Sequence, residues 1–184
     1  MRITFLKFGI LLNITLALSQ NISQIDTSTI YVINKFEYAD SCGDPLKESN
    51  IFTYLEGKVI EIIDGNSIRV QLNTGDVKQI NLLAVEMFDY KKCFKDSAYT
   101  MLINLILNKD ISITTASTNS KLKIYNGIVR YNRKDINRIM IESGIARYKE
   151  APSYSMSDYV ECVYQILERR ARKNKIGLWK YVEQ

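Results

Sequence analysis

The sequence predicts an α+β fold in which five short strands close into a small barrel flanked by three helices. Three observations carry that expectation. Between Leu55 and Val85, three β-branched or alternating runs are separated by only two tight polar turns, which makes a meander. Two further strand-like runs follow an amphipathic segment, and two capped helical patterns complete the order. At 184 residues the chain can bury a sizeable core, and 46% hydrophobic with 24% charged residues excludes disorder throughout.

The first seven residues carry Arg2 and Lys7 and no acid, and Phe8–Leu18 is apolar except at Gly9, Asn13 and Thr15. This run is too short and too interrupted for a comfortable bilayer span. Ala17 and Ser19 place small residues where a signal peptidase reads. The expectation is therefore a cleaved secretory signal over residues 1–19, ending near Ser19, and a secreted or extracytoplasmic chain with no stable membrane span after cleavage. The alternative is a signal anchor or a buried N-terminal helix. Residues 20–50, rich in Asn, Ser, Asp and Thr, read as an N-terminal extension with one β-like stretch at Ile30–Ile33. The domain proper is expected over residues 51–184.

Loss of residues 1–19 removes Arg2 and Lys7 and no acid, taking the formal charge from +5 to +3. Residues 20–50 hold five acids against two lysines, so the basic excess lies in residues 51–184. An anionic partner suits that region. Its densest cluster is Arg169, Arg170, Arg172, Lys173 and Lys175, which read either as a nucleic-acid contact or as a solvated helix end that complements the helix dipole. With no histidine in the chain and no CxxC spacing among Cys42, Cys93 and Cys162, a zinc site and Ser-His or Cys-His catalysis are excluded. In a secreted chain Cys42 could pair with Cys93 and pin the extension to the domain, but the connectivity is open from sequence.

Strands are expected at Leu55–Ile63, Ser67–Leu72 and Val77–Val85, with turns at Asp64-Gly65-Asn66 and Asn73–Asp76. Asp96 or Ser97 is the expected cap of a helix whose Tyr99, Leu102, Ile103 and Ile106 form one apolar stripe. Strands at Ile111–Thr115 and Ile124–Tyr131 follow. Asp135 then caps a helix with Ile136, Ile139 and Met140 inward and Gly144 as its left-handed stop. Ser157 caps the last helix, which buries Val160, Val163, Tyr164 and Leu167. Five strands in this order, with a helix between the third and fourth, fit a barrel of the oligonucleotide/oligosaccharide-binding type. Trp179 is expected as a plug, and Tyr125, Tyr131 and Tyr148 as packing residues rather than base-stacking platforms.

Four stretches carry a family resemblance: "GKVIEIIDGNSIRV", "INLLAVEMFD", "DINRIMIESGIARY" and "ARKNKIGLW". In their order and spacing, from about Leu55 to Trp179, the chain resembles the staphylococcal nuclease-like domain. The resemblance implies a calcium-dependent phosphodiesterase acting on DNA or RNA. Carboxylates of the first turn and the end of the third strand serve the metal, two arginines hold the phosphate, and a glutamate activates water.

Carried over position by position, the implied site is degenerate. Asp64 matches the first acid of the family's Asp-Gly-Asp-Thr turn, but Asn66 replaces the second, a direct ligand, so calcium affinity is expected to be weakened. Glu86 keeps an acid at the next ligand position, lengthened by one methylene, and Met87 stands where only a backbone carbonyl coordinates. Asp89 stands for the catalytic glutamate with its carboxylate withdrawn. The first phosphate-binding arginine is Asn81, and the second falls on Ile124, Tyr125 or Gly127, none of them basic. Lys123 and Arg130 are the substitute phosphate binders on the same strand. The resulting expectation is a secreted module, catalytically impaired or inactive, that binds single-stranded DNA or RNA, another polyanion or a protein. One alternative is a divalent-metal-dependent phosphodiesterase with an altered site. Another is a structural subunit of a larger assembly, with the Asp64–Asn66 turn a plain hairpin turn and Glu86 and Asp89 solvated acids.

Overall fold

The computed structural model describes residues 38–44, 52–88, 92–116, 121 and 123–182. The expected signal segment, the Ile30–Ile33 stretch, most of the 20–50 extension and Asp89 lie outside the described residues. The chain divides into two units, Met1–Ala39 and Asp40–Gln184. Only Tyr38 and Ala39 of the first unit are described, and the barrel belongs wholly to the second.

A short helix, α1 (Ala39–Cys42), precedes the barrel. Strands β1 (Thr53–Ile62), β2 (Ser67–Leu72) and β3 (Val77–Leu82) form the expected antiparallel meander. Strand β1 also pairs antiparallel with β5 (Asp110–Thr115), and β5 with β6 (Ile124–Tyr131). Parallel pairing of β6 with β3, in the register Asn81↔Asn126, closes five strands into a barrel. Alternation along each strand sends Val59, Ile68, Val70, Ile80, Ile113 and Val129 inside, where none retains exposed surface.

The third expected strand, Val77–Val85, is broken. Ala84 takes φ 59°, and the chain turns there before a short strand β4 (Val85–Met87) that pairs with β8 (Ala146–Tyr148). The first long helix, α2 (Lys92–Ile106), begins before Asp96 and Ser97, so neither caps it. Ser97 instead donates its hydroxyl to the Cys93 carbonyl at 2.8 Å, one turn back inside the helix. That earlier start carries the buried stripe along Phe94, Ala98, Leu102 and Ile106, leaving Tyr99 40% exposed and Ile103 half-buried.

The two later helices begin where their caps predict. In α3 (Ile136–Glu142) the Asp135 carboxylate accepts from the Arg138 amide at 2.9 Å, and Gly144 stops the chain at φ +65°. A Cβ on Gly144 would collide with the Ile176 carbonyl, so the stop also fixes the approach of the C-terminal segment. In α4 (Asp158–Lys173) the Ser157 hydroxyl accepts from the Val160 amide, and Val163, Tyr164, Leu167 and Ala171 are buried. Val160 and Ile139, expected inward, are half-buried. Asp135 belongs to a two-residue strand, β7 (Lys134–Asp135), and accepts from the Tyr164 hydroxyl at 2.7 Å, tying α3 to α4. Burial pushes both groups' pKa values up, and Arg130 nearby partly offsets this.

Asn137 is the buried polar anchor of the fold, with no exposed surface. Its Oδ1 accepts from the Val129 amide at 3.0 Å, and its Nδ2 donates to the Leu83 carbonyl at 2.9 Å and the Gly127 carbonyl at 3.1 Å. One side chain thus joins α3 to β6 and to the bend after β3. A second small core packs Phe88, Phe94, Ala171, Leu178 and Trp179 under a 3₁₀ turn at Gly177–Tyr181. Phe88 and Trp179 meet edge-on at 4.9 Å between centroids, so Trp179 is the expected plug. The thiols do not follow a Cys42–Cys93 pairing. Cys42 is bonded to Cys162 on α4, with a Cα separation of 5.6 Å, and Cys93 is free and exposed.

Replacing Asn137 with Leu keeps the forked outline, at greater bulk, but strands the Val129 amide and the Leu83 carbonyl. The expected loss is about 2–4 kcal/mol, read from the denaturant midpoint at unchanged m-value.

Candidate functional site

The turn between β1 and β2 is held by its own backbone and by Asp64. The amides of Ile63 and Asp64 donate to the Ser67 carbonyl at 2.9 and 3.2 Å, and Asp64 Oδ1 accepts from the Asn66 amide at 2.9 Å. Gly65 is buried under α2, and a Cβ there would run into the Met87 thioether and the Ala98 methyl. Glycine is therefore required by close approach, and Met87 packs on the turn. The Asn66 carboxamide is committed on both sides. Its Nδ2 donates to the Val85 carbonyl at 3.2 Å, and its Oδ1 lies 3.2 Å from Ser67 Oγ.

From Ser67 a row of neutral side chains crosses the outer face of β2, β3 and β6. Ser67 Oγ lies 3.0 Å from Asn81 Oδ1 and has one proton to share between Asn66 and Asn81. Gln79 Nε2 donates to the same Asn81 oxygen at 3.1 Å, and Asn81 Nδ2 donates to Asn126 Oδ1 at 3.3 Å. Asn126 is thus the β6 side chain that meets Asn81, not Ile124, Tyr125 or Gly127. Its signal was the parallel register, which strand alternation alone does not reveal. Tyr125 is buried and Gly127 faces Ile113 inside the barrel.

Glu86 is drawn into ion pairs. Register places it opposite Arg147 on β8, whose Nη2 approaches Glu86 Oε2 to 2.6 Å, while Lys149 Nζ reaches Oε1 at 3.3 Å. Glu168 on α4 adjoins the group. Burial raises its pKa and Glu86 adds to that, against the pull of Arg172 and Arg147 and a hydrogen bond from the Tyr148 backbone. Sequence reading missed Arg147 and Lys149. Their spacing of two residues, just after the Gly144 stop, was the available signal.

The family model of the staphylococcal nuclease homologues matches residues 72–181, more than half of the chain. The chain belongs to that family. No curated protein matches it. The closed barrel with its helices agrees with the family's fold, and membership supports a nuclease-like or nucleic-acid-binding module.

Staphylococcal nuclease homologues generally use calcium. Here the donor set does not fit that ion. Glu86 is taken by two cations and the Asn66 amide is spent on Val85 and Ser67. Among the described residues no group of three acidic, Cys or His side chains could hold a metal. Asp64, Asn66 and Met87 do gather at one turn, while Glu86 pairs across β4 and β8.

The substitute phosphate binders do not converge either. Lys123 is exposed just before β6, and its carbonyl accepts from the Gln79 amide. Arg130 lies seven residues further on, roughly 23 Å along an extended strand, and donates to Thr114 Oγ1 at 2.6 Å. Arg169, Arg170, Arg172 and Lys173 are exposed at the end of α4, with the Arg172 guanidinium 5.5 Å over Trp179. Tyr148 donates to Glu161 at 2.6 Å, and burial with that bond pushes its pKa up to about 12, so it is a packing residue. Among the described residues no helix is long and apolar enough to cross a membrane.

Millimolar calcium is expected to shift the melting temperature by less than ~1 °C. A working site held at a hundredfold excess over its Kd would add about 2.7 kcal/mol, and a rise of several degrees would contradict the misfit.

Proposed function

We propose that this staphylococcal nuclease homologue is a catalytically impaired domain that serves as a binding module for single-stranded nucleic acid or a similar polyanion. The observation that carries the reading is the uncharged Ser67–Asn81–Asn126 row, where the family's chemistry calls for two arginines. An amide offers hydrogen bonds to a phosphate but no fixed positive charge for the transition state of phosphodiester cleavage. The basic end of α4 supports anion binding by the route that needs no chemistry, the release of counterions.

Export is part of the same proposal. The residue 1–19 pattern and the Cys42–Cys162 bond support it, because such bonds persist in oxidising compartments.

At high protein concentration, labelled single-stranded DNA and RNA should remain uncut with calcium, magnesium or chelator, yet be retained in a salt-dependent manner. Cleavage that requires a divalent metal would restore the enzyme reading. Absence of retention at low salt would remove the nucleic-acid one and leave a protein partner. Expressed from Met1 in a secreting host, the chain should leave the cell with a mass beginning after about Ser19 and with Cys42 bridged to Cys162. A cell-bound chain that still carries residues 1–19 would overturn the export reading.

A further inference from the structure

We propose that Arg147 and Lys149 form a binding site for one phosphodiester group of the polyanion, and that Glu86 is the site's built-in competitor. The proposal rests on the binding-module reading and assigns it a site at β8 that adjoins the α4 basic cluster.

The geometry is recorded by Glu86 itself. Its carboxylate shows that the Arg147 guanidinium and the Lys149 ammonium converge on a single oxyanion, at 2.6 and 3.3 Å. Glu86 is a poor fit for that role in one respect. It meets only Nη2 of Arg147, while Nε is buried without a hydrogen-bond acceptor among the described residues. The preferred grip of a guanidinium on an oxyanion is two-pronged, so this one-pronged internal pair yields the more readily to a competing oxyanion.

Access and charge balance favour exchange. The Arg147 and Lys149 side chains are 43% and 65% exposed and Glu86 is 33% exposed, so all three reach solvent. An ion pair so placed holds weakly and gives way to a competitor. Arg147, Lys149 and Arg172 carry three positive charges against two on Glu86 and Glu168, a surplus of one that rises to two when Glu86 swings out.

Continuity favours a repeating ligand over a single anion. Glu168 senses both Arg147 and Arg172, so the site adjoins the start of the α4 basic end. A phosphodiester carries one charge, as Glu86 does, but a strand gripped at Arg147 presents its next phosphate to Arg172 at high effective concentration. That advantage lets a strand displace Glu86 where isolated phosphate does not.

The test is the sign of the Glu86 effect. Anisotropy of a labelled single-stranded oligodeoxynucleotide, in chelator, is compared for the parent chain, Glu86→Gln and the double variant Arg147→Gln/Lys149→Gln. Glu86→Gln is expected to tighten binding by about threefold to tenfold. The double variant is expected to weaken it by about tenfold and to lower the slope of log affinity against log salt by about 0.7, one phosphate on a single strand. Circular dichroism of each variant verifies the fold, and Lys149→Gln alone, being mostly exposed, serves if the double variant unfolds. Unchanged or weakened binding by Glu86→Gln overturns the site. If that variant is silent while charge removal at Arg169 and Lys173 abolishes binding, the module reading stands and this site falls. If the parent chain binds no oligonucleotide at any salt, the module reading fails with it.

Discussion

Closure of the barrel by the parallel pairing of β3 with β6 is the constraint on which the rest of this structure depends. It joins segments 45 residues apart, with Asn81 opposite Asn126, and such non-local pairing must repay its loop-closure entropy. Asn137 supports the join by bonding both sides of it, from the Leu83 carbonyl to the Gly127 carbonyl and the Val129 amide. The outer amide row, the bend at Ala84 and the placement of β4 beside β8 all follow from that closure. A buried amide is suited to the role because it donates twice and accepts, and every such bond made in a dry interior avoids a desolvation penalty.

On this scaffold the contacts at the site are neutral or internally balanced. Asparagine at positions 81 and 126 keeps the outer face hydrogen-bonded without any net charge. Glu86 keeps an acid next to the turn but shares it with Arg147 and Lys149. Partly exposed pairs of this kind stabilise a fold by no more than about 1 kcal/mol. Their importance lies in which charges remain available to a ligand rather than in stability. On the proposed reading, the charges a ligand would meet can therefore change at almost no thermodynamic cost to the fold, which rests on the buried barrel interior.

Much of the fold was legible because local physics agreed with it. Alternation located β1, β2, β5 and β6, and the caps at Asp135 and Ser157 and the glycine stop at 144 act within one turn of chain. The departures share a cause, which is that tertiary contacts decided them. Alanine at position 84 carries no mark of a positive φ, and the bend follows from Leu83 bonding to the Gly127 carbonyl. Ser97 looked like a cap but sits a turn inside α2, whose start falls in a polar stretch without a distinctive signal. Asn137 reads as a polar position on a helix until β6 and Leu83 surround it. At the site, the substitutions at 66 and 81 were visible in sequence. Asn126 and Arg147 were not, because each acquires its meaning from a strand register, and Lys149 acquires its own from the bond of its amide to the Ala84 carbonyl. The partner of Cys42 was likewise undetermined, since three thiols allow three pairings and only the fold brings Cys162 near.

The Cys42–Cys162 bond closes a covalent ring over a sequence separation of 120 residues, and that ring contains all five barrel strands as well as α2 and α3. Proteolytic nicking inside it converts the chain into two polypeptides that remain one covalent molecule until a reductant arrives. The severed ends stay within reach of each other, so the nick costs the folded state far less than separation of the two pieces would. In a protease-rich environment the barrel is thus guarded against dismemberment as well as against unfolding.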